Sequence, residues 1–190
     1  MATATEPAGR APADDGPGPG LGRRVLAILG AGGRRAGPVV NGLFVLGAAL
    51  VVWSGVIHLR LWASGYRDIP GATGPLFLMQ GIVAIVLAAL VIAFRRVWVG
   101  LAAAGFVLST VAGFLISVNY GLFGFQDSFT VSDGELAFSV ELAAAAVLLA
   151  ACGGAVWRDR AQAKNAKRSS TGAGAPVESA PVTKVSVENP

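Results

Sequence analysis

Residues 75–118 read PLFLMQGIVAIVLAALVIAFRRVWVGLAAAGFVLSTVAGFLISV. Only Arg95 and Arg96 interrupt them. Each half is about 20 residues, the length an α-helix rising ~1.5 Å per residue needs to cross ~30 Å of hydrocarbon. Buried helices of soluble domains rarely stay this apolar over such a length. The halves do not alternate apolar with polar residues, which argues against a membrane β-barrel. In lipid, a helix is then what satisfies every backbone group. The stretch is predicted to form two spanning helices joined as a tight antiparallel hairpin.

The same signature recurs on both sides. Val39–Leu59 (VVNGLFVLGAALVVWSGVIHL) and Leu136–Trp157 (LAFSVELAAAAVLLAACGGAVW) are equally long and apolar. The predicted fold is all-α: an integral membrane four-helix bundle with helices at about 39–59, 75–94, 97–118 and 136–157. Composition agrees, since 54% of the 190 residues are apolar and 14% charged, against ~25% charged in an ordinary soluble domain.

The charges set the expected orientation. Arg23, Arg24, Arg34, Arg35, Arg95, Arg96, Arg158, Arg160, Lys164, Lys167 and Arg168 flank one set of helix ends, and Arg60 and Arg67 the other. Loops rich in Lys and Arg stay cytoplasmic. Both termini are therefore expected in the cytoplasm of a multi-pass cell-membrane protein. Trp98 and Trp157 would lie in the inner aromatic belt, with Trp62, Tyr66, Tyr120 and Phe123 in the outer one. The net charge of +4 serves topology here. Nothing interleaves basic and aromatic residues as a nucleic-acid groove would, so the expected partners are the lipid bilayer, a membrane protein or a second copy of the chain, and no nucleic acid.

Residues 1–37 are expected to be a disordered segment ending in a basic juxtamembrane stretch. The apolar patch Val25–Leu29 is short for a signal sequence, and Arg34 and Arg35 stand where a cleavage site would be. Contact with anionic headgroups suits it better. Residues 158–190 open basic and turn to Ser, Thr, Ala, Val and Pro, a composition that predicts a disordered tail.

Gly105, Ser109, Gly113, Ser117 and Gly121 recur every four residues along the third helix. Small residues at this spacing let helices approach in lipid, so the ladder is expected to pack the bundle, with homodimerisation as the alternative. Cys152 is the only cysteine; no internal disulfide or thiolate metal cluster is possible, and a small buried residue is its expected role.

Glu141 lies inside the fourth helix, where an ionised side chain is costly and demands a partner. His58 and Ser54, one turn apart, close the first helix at similar depth; Gln80 opens the second, and Asn119 ends the third. These five residues predict an outward-facing polar pocket. One reading is a site for a small polar ligand, a quinone headgroup or a proton, with Glu141 accepting the proton, His58 titrating near neutral pH, and Gln80 and Asn119 orienting the ligand. The other is a hydrogen-bonded cluster that fixes helix register. One His and one carboxylate make a poor metal set, and no cofactor is expected. GxSxG, P-loop and HExxH signatures are absent.

GAALVVWSGVIHLRLW and the following GPLFLMQGIVAIVLAAL, about residues 47–90, resemble the DoxX-like superfamily of small four-helix bacterial membrane proteins. Gln80 stands where that family commonly has an acidic residue, and a double glycine later in the second helix is missing. The resemblance implies a four-helix bundle and an accessory role beside a membrane redox enzyme. It carries over no catalytic residue. The leading expectation is a non-catalytic subunit or scaffold of a membrane assembly; the alternatives are a ligand- or proton-handling protein and a quinone-linked enzyme subunit.

Overall fold

A computed structural model describes residues 21–32, 36–69, 71–121, 126 and 132–172. Helix α1 spans Leu21–Leu29, α2 Pro38–Ala63, α3 Thr73–Phe94, α4 Val97–Tyr120 and α5 Ser132–Gly172, with a 3-10 turn at Tyr66–Asp68 between α2 and α3. Four of these helices, α2 to α5, are long and apolar enough to cross a membrane. No strand occurs among the described residues.

Local chemistry sets the ends. Pro38 opens α2, where its fixed φ suits a helix and its missing N–H has no partner to lose. The α2 helix stops at Ser64, whose N–H donates to Arg60 O at 2.8 Å and whose hydroxyl donates to Leu61 O. The α3–α4 hairpin turns within Arg95 and Arg96. Arg95 takes a left-handed conformation (φ 50°), the only non-glycine with positive φ among the described residues, at a cost of about 1–2 kcal/mol. Its N–H still caps Val91 O at 2.9 Å.

The helices form a ring in the order α3, α2, α5, α4. The α2 helix packs closely on α3 and α5, and α4 on α5, whereas α3 and α4 meet much less extensively. The core is built of small and branched residues around Phe44, Val51, Val99, Val107 and Leu148. Close approach is achieved at particular glycines. A Cβ on Gly47 would lie 2.6 Å from Leu148 Cδ2, and one on Gly100 2.6 Å from Cys152 Sγ. The α2 and α3 backbones cross at Gly55 and Gly81, where a Cβ on either would lie 3.1 Å from the carbonyl oxygen of the other. The outward faces carry Val45, Trp53, Ile82, Ile85, Leu101, Leu142 and Leu149, all exposed. A continuous apolar exterior of this kind suits lipid, not water.

Several expectations need correction. Residues 21–29, expected within a disordered segment, form the amphipathic helix α1. The residues that follow it are strapped to the start of α4 and to the middle of α5: Ala31 O accepts from Val97 N, Arg96 Nη1 donates to Gly30 O at 2.8 Å, and Gly32 N donates to Asp159 Oδ2 at 3.2 Å. Gly32 has φ 106°, and a Cβ there would meet Arg95 O at 2.6 Å, so only glycine fits. The last helix runs to Gly172 instead of ending near Trp157, because Ala, Arg, Gln and Lys after Trp157 are strong helix formers without any apolar stripe to announce them. The remaining parts of the expected disordered tails, residues 1–20 and 173–190, lie outside the described residues, as does Phe123 of the expected outer belt.

Candidate functional site

The Gly55–Gly81 crossing decides the site. Ser54 and Gln80 are the neighbours of those glycines, so the crossing brings both side chains to the face of α5 that carries Glu141. Ser54 Oγ donates to Glu141 Oε1 at 2.9 Å, and Gln80 Nε2 donates to the same oxygen at 3.5 Å. One turn along α2, His58 Nε2 lies 3.8 Å from Glu141 Oε1. Glu141 is 3% exposed and His58 7%. Thr110 of α4 also hydrogen-bonds the Glu141 carboxyl, and a buried carboxyl reached from three other helices satisfies the requirement that polar groups inside a membrane find partners.

The imidazole orientation fixes its tautomer. His58 Nδ1 is 2.9 Å from Ser54 O. A carbonyl only accepts, so Nδ1 carries a hydrogen, and Nε2 of the neutral ring turns a lone pair toward Glu141. The two groups stand 3.8 Å apart, so protonation of the imidazole makes their contact an ion pair. The His58 ring lies 5.3 Å from that of Phe77, which lies 4.4 Å from Tyr66, so a stack of rings runs from the site to the 3-10 turn.

Beside Glu141, His58 and Gln80 opens a cavity of about 280 Å³ between the helices. Its walls are mainly aromatic and aliphatic, with Phe77, Phe106, Phe114 and Phe138 among them. Among the described residues no Lys or Arg lines it, and no three His, Cys, Asp or Glu converge as metal ligands. The volume is near the lower end of small-molecule sites, about 300–1,000 Å³.

Of the five residues expected to build the pocket, Ser54, His58, Gln80 and Glu141 come together. Asn119 does not: its amide donates to Leu115 O at 2.7 Å on an exposed part of α4. The small-residue ladder also sits elsewhere than expected. Gly105 and Ser109 are exposed, a Cβ on Gly105 or Gly113 would meet nothing within 4 Å, and only Ser117 is buried. The packing side of α4 is Gly100, Ala103, Ala104, Val107 and Val111. Ser109, Gly113 and Ser117 line the cavity instead; there their small size leaves a void instead of seating a helix. Sequence reasoning missed Thr73, Thr110 and the phenylalanines. Their signal was shared helical faces: Thr73, Phe77 and Gln80 on α3; Phe106, Thr110 and Gly113 on α4; Phe138 and Glu141 on α5.

No family model matches the chain, and neither the curated proteins nor the solved structures show a match to it.

Proposed function

We propose that this is a ligand-binding protein of the cell membrane, whose site is the cavity beside Glu141 and His58 and which takes a proton or a small donor-bearing molecule there. The observation that carries the reading is the convergence of Ser54, Gln80, His58 and Thr110, from three helices, on one buried carboxyl that borders a cavity large enough for a ligand. A cluster serving only to fix helix register needs no void beside it. The charge bias supports both termini in the cytoplasm and, with them, the cavity in the outer half of the bilayer.

The test is modification by dicyclohexylcarbodiimide, an apolar reagent that reacts with carboxylic acids reachable from the membrane. In vesicles, one adduct is expected, mapped by mass spectrometry to Glu141 and missing in Glu141→Gln. Unmodified Glu141 under conditions that label a lipid-exposed control carboxyl would overturn the reading.

A second reading, a non-catalytic subunit or scaffold of a membrane assembly, is favoured by the exposed small residues Ala102, Gly105 and Ala112 on α4, a surface that another membrane helix could approach closely. The accessory role implied by the DoxX-like resemblance belongs with it. Mild-detergent purification that returns a stoichiometric partner supports this reading; a lone monodisperse chain counts against it.

A further inference from the structure

We infer that α1 is an interfacial anchor: its apolar face lies in the lipid leaflet at the arginine-rich end of the bundle, and its arginines bind anionic phospholipid headgroups there. The cavity beside Glu141 plays no part in this. The helix has nine residues, and the protein buries none of them. Isolated helices shorter than about 12–15 residues are marginal in water. A surface outside the chain must therefore cover α1 and hold it helical.

The shape of that surface follows from how the side chains sort. The spanning helices α2, α3 and α4 are apolar all round, whereas α1 has two faces. At ~100° per residue, Ile28, Leu21, Val25, Leu29 and Leu26 share an arc of about 160°, and Arg23 and Arg24 stand just beyond its two edges. Leu21 is 80% exposed and Leu26 70%. An apolar arc bordered by arginines fits the boundary between acyl chains and headgroups. The aliphatic side chains enter the chains, and the guanidinium groups reach back to the phosphates. A second copy of α1 docked face to face would instead bring the arginines of both copies together.

The strap fixes the depth. Gly30 and Ala31, directly after α1, are bonded to Arg96 and Val97 at the start of α4. Phe94 and Trp98 beside that point are both exposed, as aromatic residues at a membrane interface are. The charge fixes the lipid. Among the described residues, Arg23, Arg24, Arg95, Arg96, Arg158 and Arg160 belong to this end of the bundle. The one carboxylate among them, Asp159, already accepts from Gly32 N. Arg23, Arg24, Arg96 and Arg160 are exposed. Basic groups next to a spanning helix are attracted by anionic lipid, and a zwitterionic surface would leave this charge uncompensated. Because the strap already holds α1 at the bundle, a contact too weak to recruit a free peptide suffices.

The experiment uses the full chain in nanodiscs of phosphatidylcholine, alone or mixed with phosphatidylglycerol. In a Cys152→Ser background, a fluorophore is attached at Leu26→Cys in the apolar arc or at Ala27→Cys on the arginine side, both exposed positions. Quenching by acrylamide reads which of them is covered. The Leu26 label is expected to be several-fold less accessible in the discs with phosphatidylglycerol than in phosphatidylcholine alone, and the Ala27 label open in both. Arg23→Gln together with Arg24→Gln should abolish the difference between the lipids. Equal shielding of the Leu26 label in both lipids would overturn anionic headgroups as the ligand. A Leu26 label as open as the Ala27 label in both would overturn the anchor. Shielding that persists in detergent and rises with protein concentration would show a second copy as the occupant and overturn the lipid.

Discussion

Ser54 and His58 lie one turn apart on α2, and Ser54 serves the site through both its main chain and its side chain: its carbonyl accepts from His58 Nδ1 and its hydroxyl donates to Glu141 Oε1, each at 2.9 Å. The two contacts are separable by mutation. Ser54→Ala keeps the carbonyl and deletes the hydroxyl. Interhelical hydrogen bonds in membrane proteins contribute about 0.6 kcal/mol on average and up to ~1.7. We expect Ser54→Ala to lower stability by about 1 kcal/mol in a reversible detergent-unfolding titration, with the His58 tautomer retained. Unchanged stability would show that the α2–α5 hydrogen bond does not help hold the bundle.

Glycines with and without neighbours should behave oppositely. Gly47 is pressed against Leu148, whose side chain is fully buried, so Gly47→Ala must displace a packed residue, at about 1–3 kcal/mol. Gly105 faces open space, so Gly105→Ala should be neutral or stabilising by up to ~1 kcal/mol through helix propensity. The same unfolding titration checks both. A larger loss at Gly105 than at Gly47 would mean that the ladder face of α4 is covered, as a homodimer would cover it.

Topology is testable by thiol labelling. In a Cys152→Ser background, a membrane-impermeant maleimide applied to intact cells should label Ser64→Cys, an exposed site after α2. It should label Ser169→Cys, exposed near the end of α5, only after permeabilisation. The opposite pattern would invert the orientation drawn from the charges.

The spans were legible in the sequence because hydrophobic length alone defines them, and all four appear within a few residues at most ends. What lay past them was harder to read. Lys164 and Lys167 belong to a helix that no apolar periodicity marks, since the polar extension of α5 is exposed on almost every side. At the site, Ser54, His58, Gln80 and Glu141 were found from depth alone, because each stands at a similar distance along its helix. Depth does not give rotation. Asn119 stands at the right level but bonds its own helix, and Gly105 and Ser109 turn outward while Ala103 and Val107 turn in. All of α4 is apolar or small, so no polar face records which side packs; contacts with α5 settle it. The cavity itself depends on that rotation and could not be read from spacing.

His58 is the only histidine in the chain, so nitrogen NMR of histidine-labelled protein in lipid reads this ring alone. We expect the neutral ring to carry its hydrogen on Nδ1, held by Ser54 O, and the Nε2 resonance to shift in Glu141→Gln, because the partner facing that lone pair has changed. A neutral ring with its hydrogen on Nε2, or an Nε2 signal indifferent to Glu141→Gln, would contradict the coupling of His58 to Glu141 on which the proposed site rests.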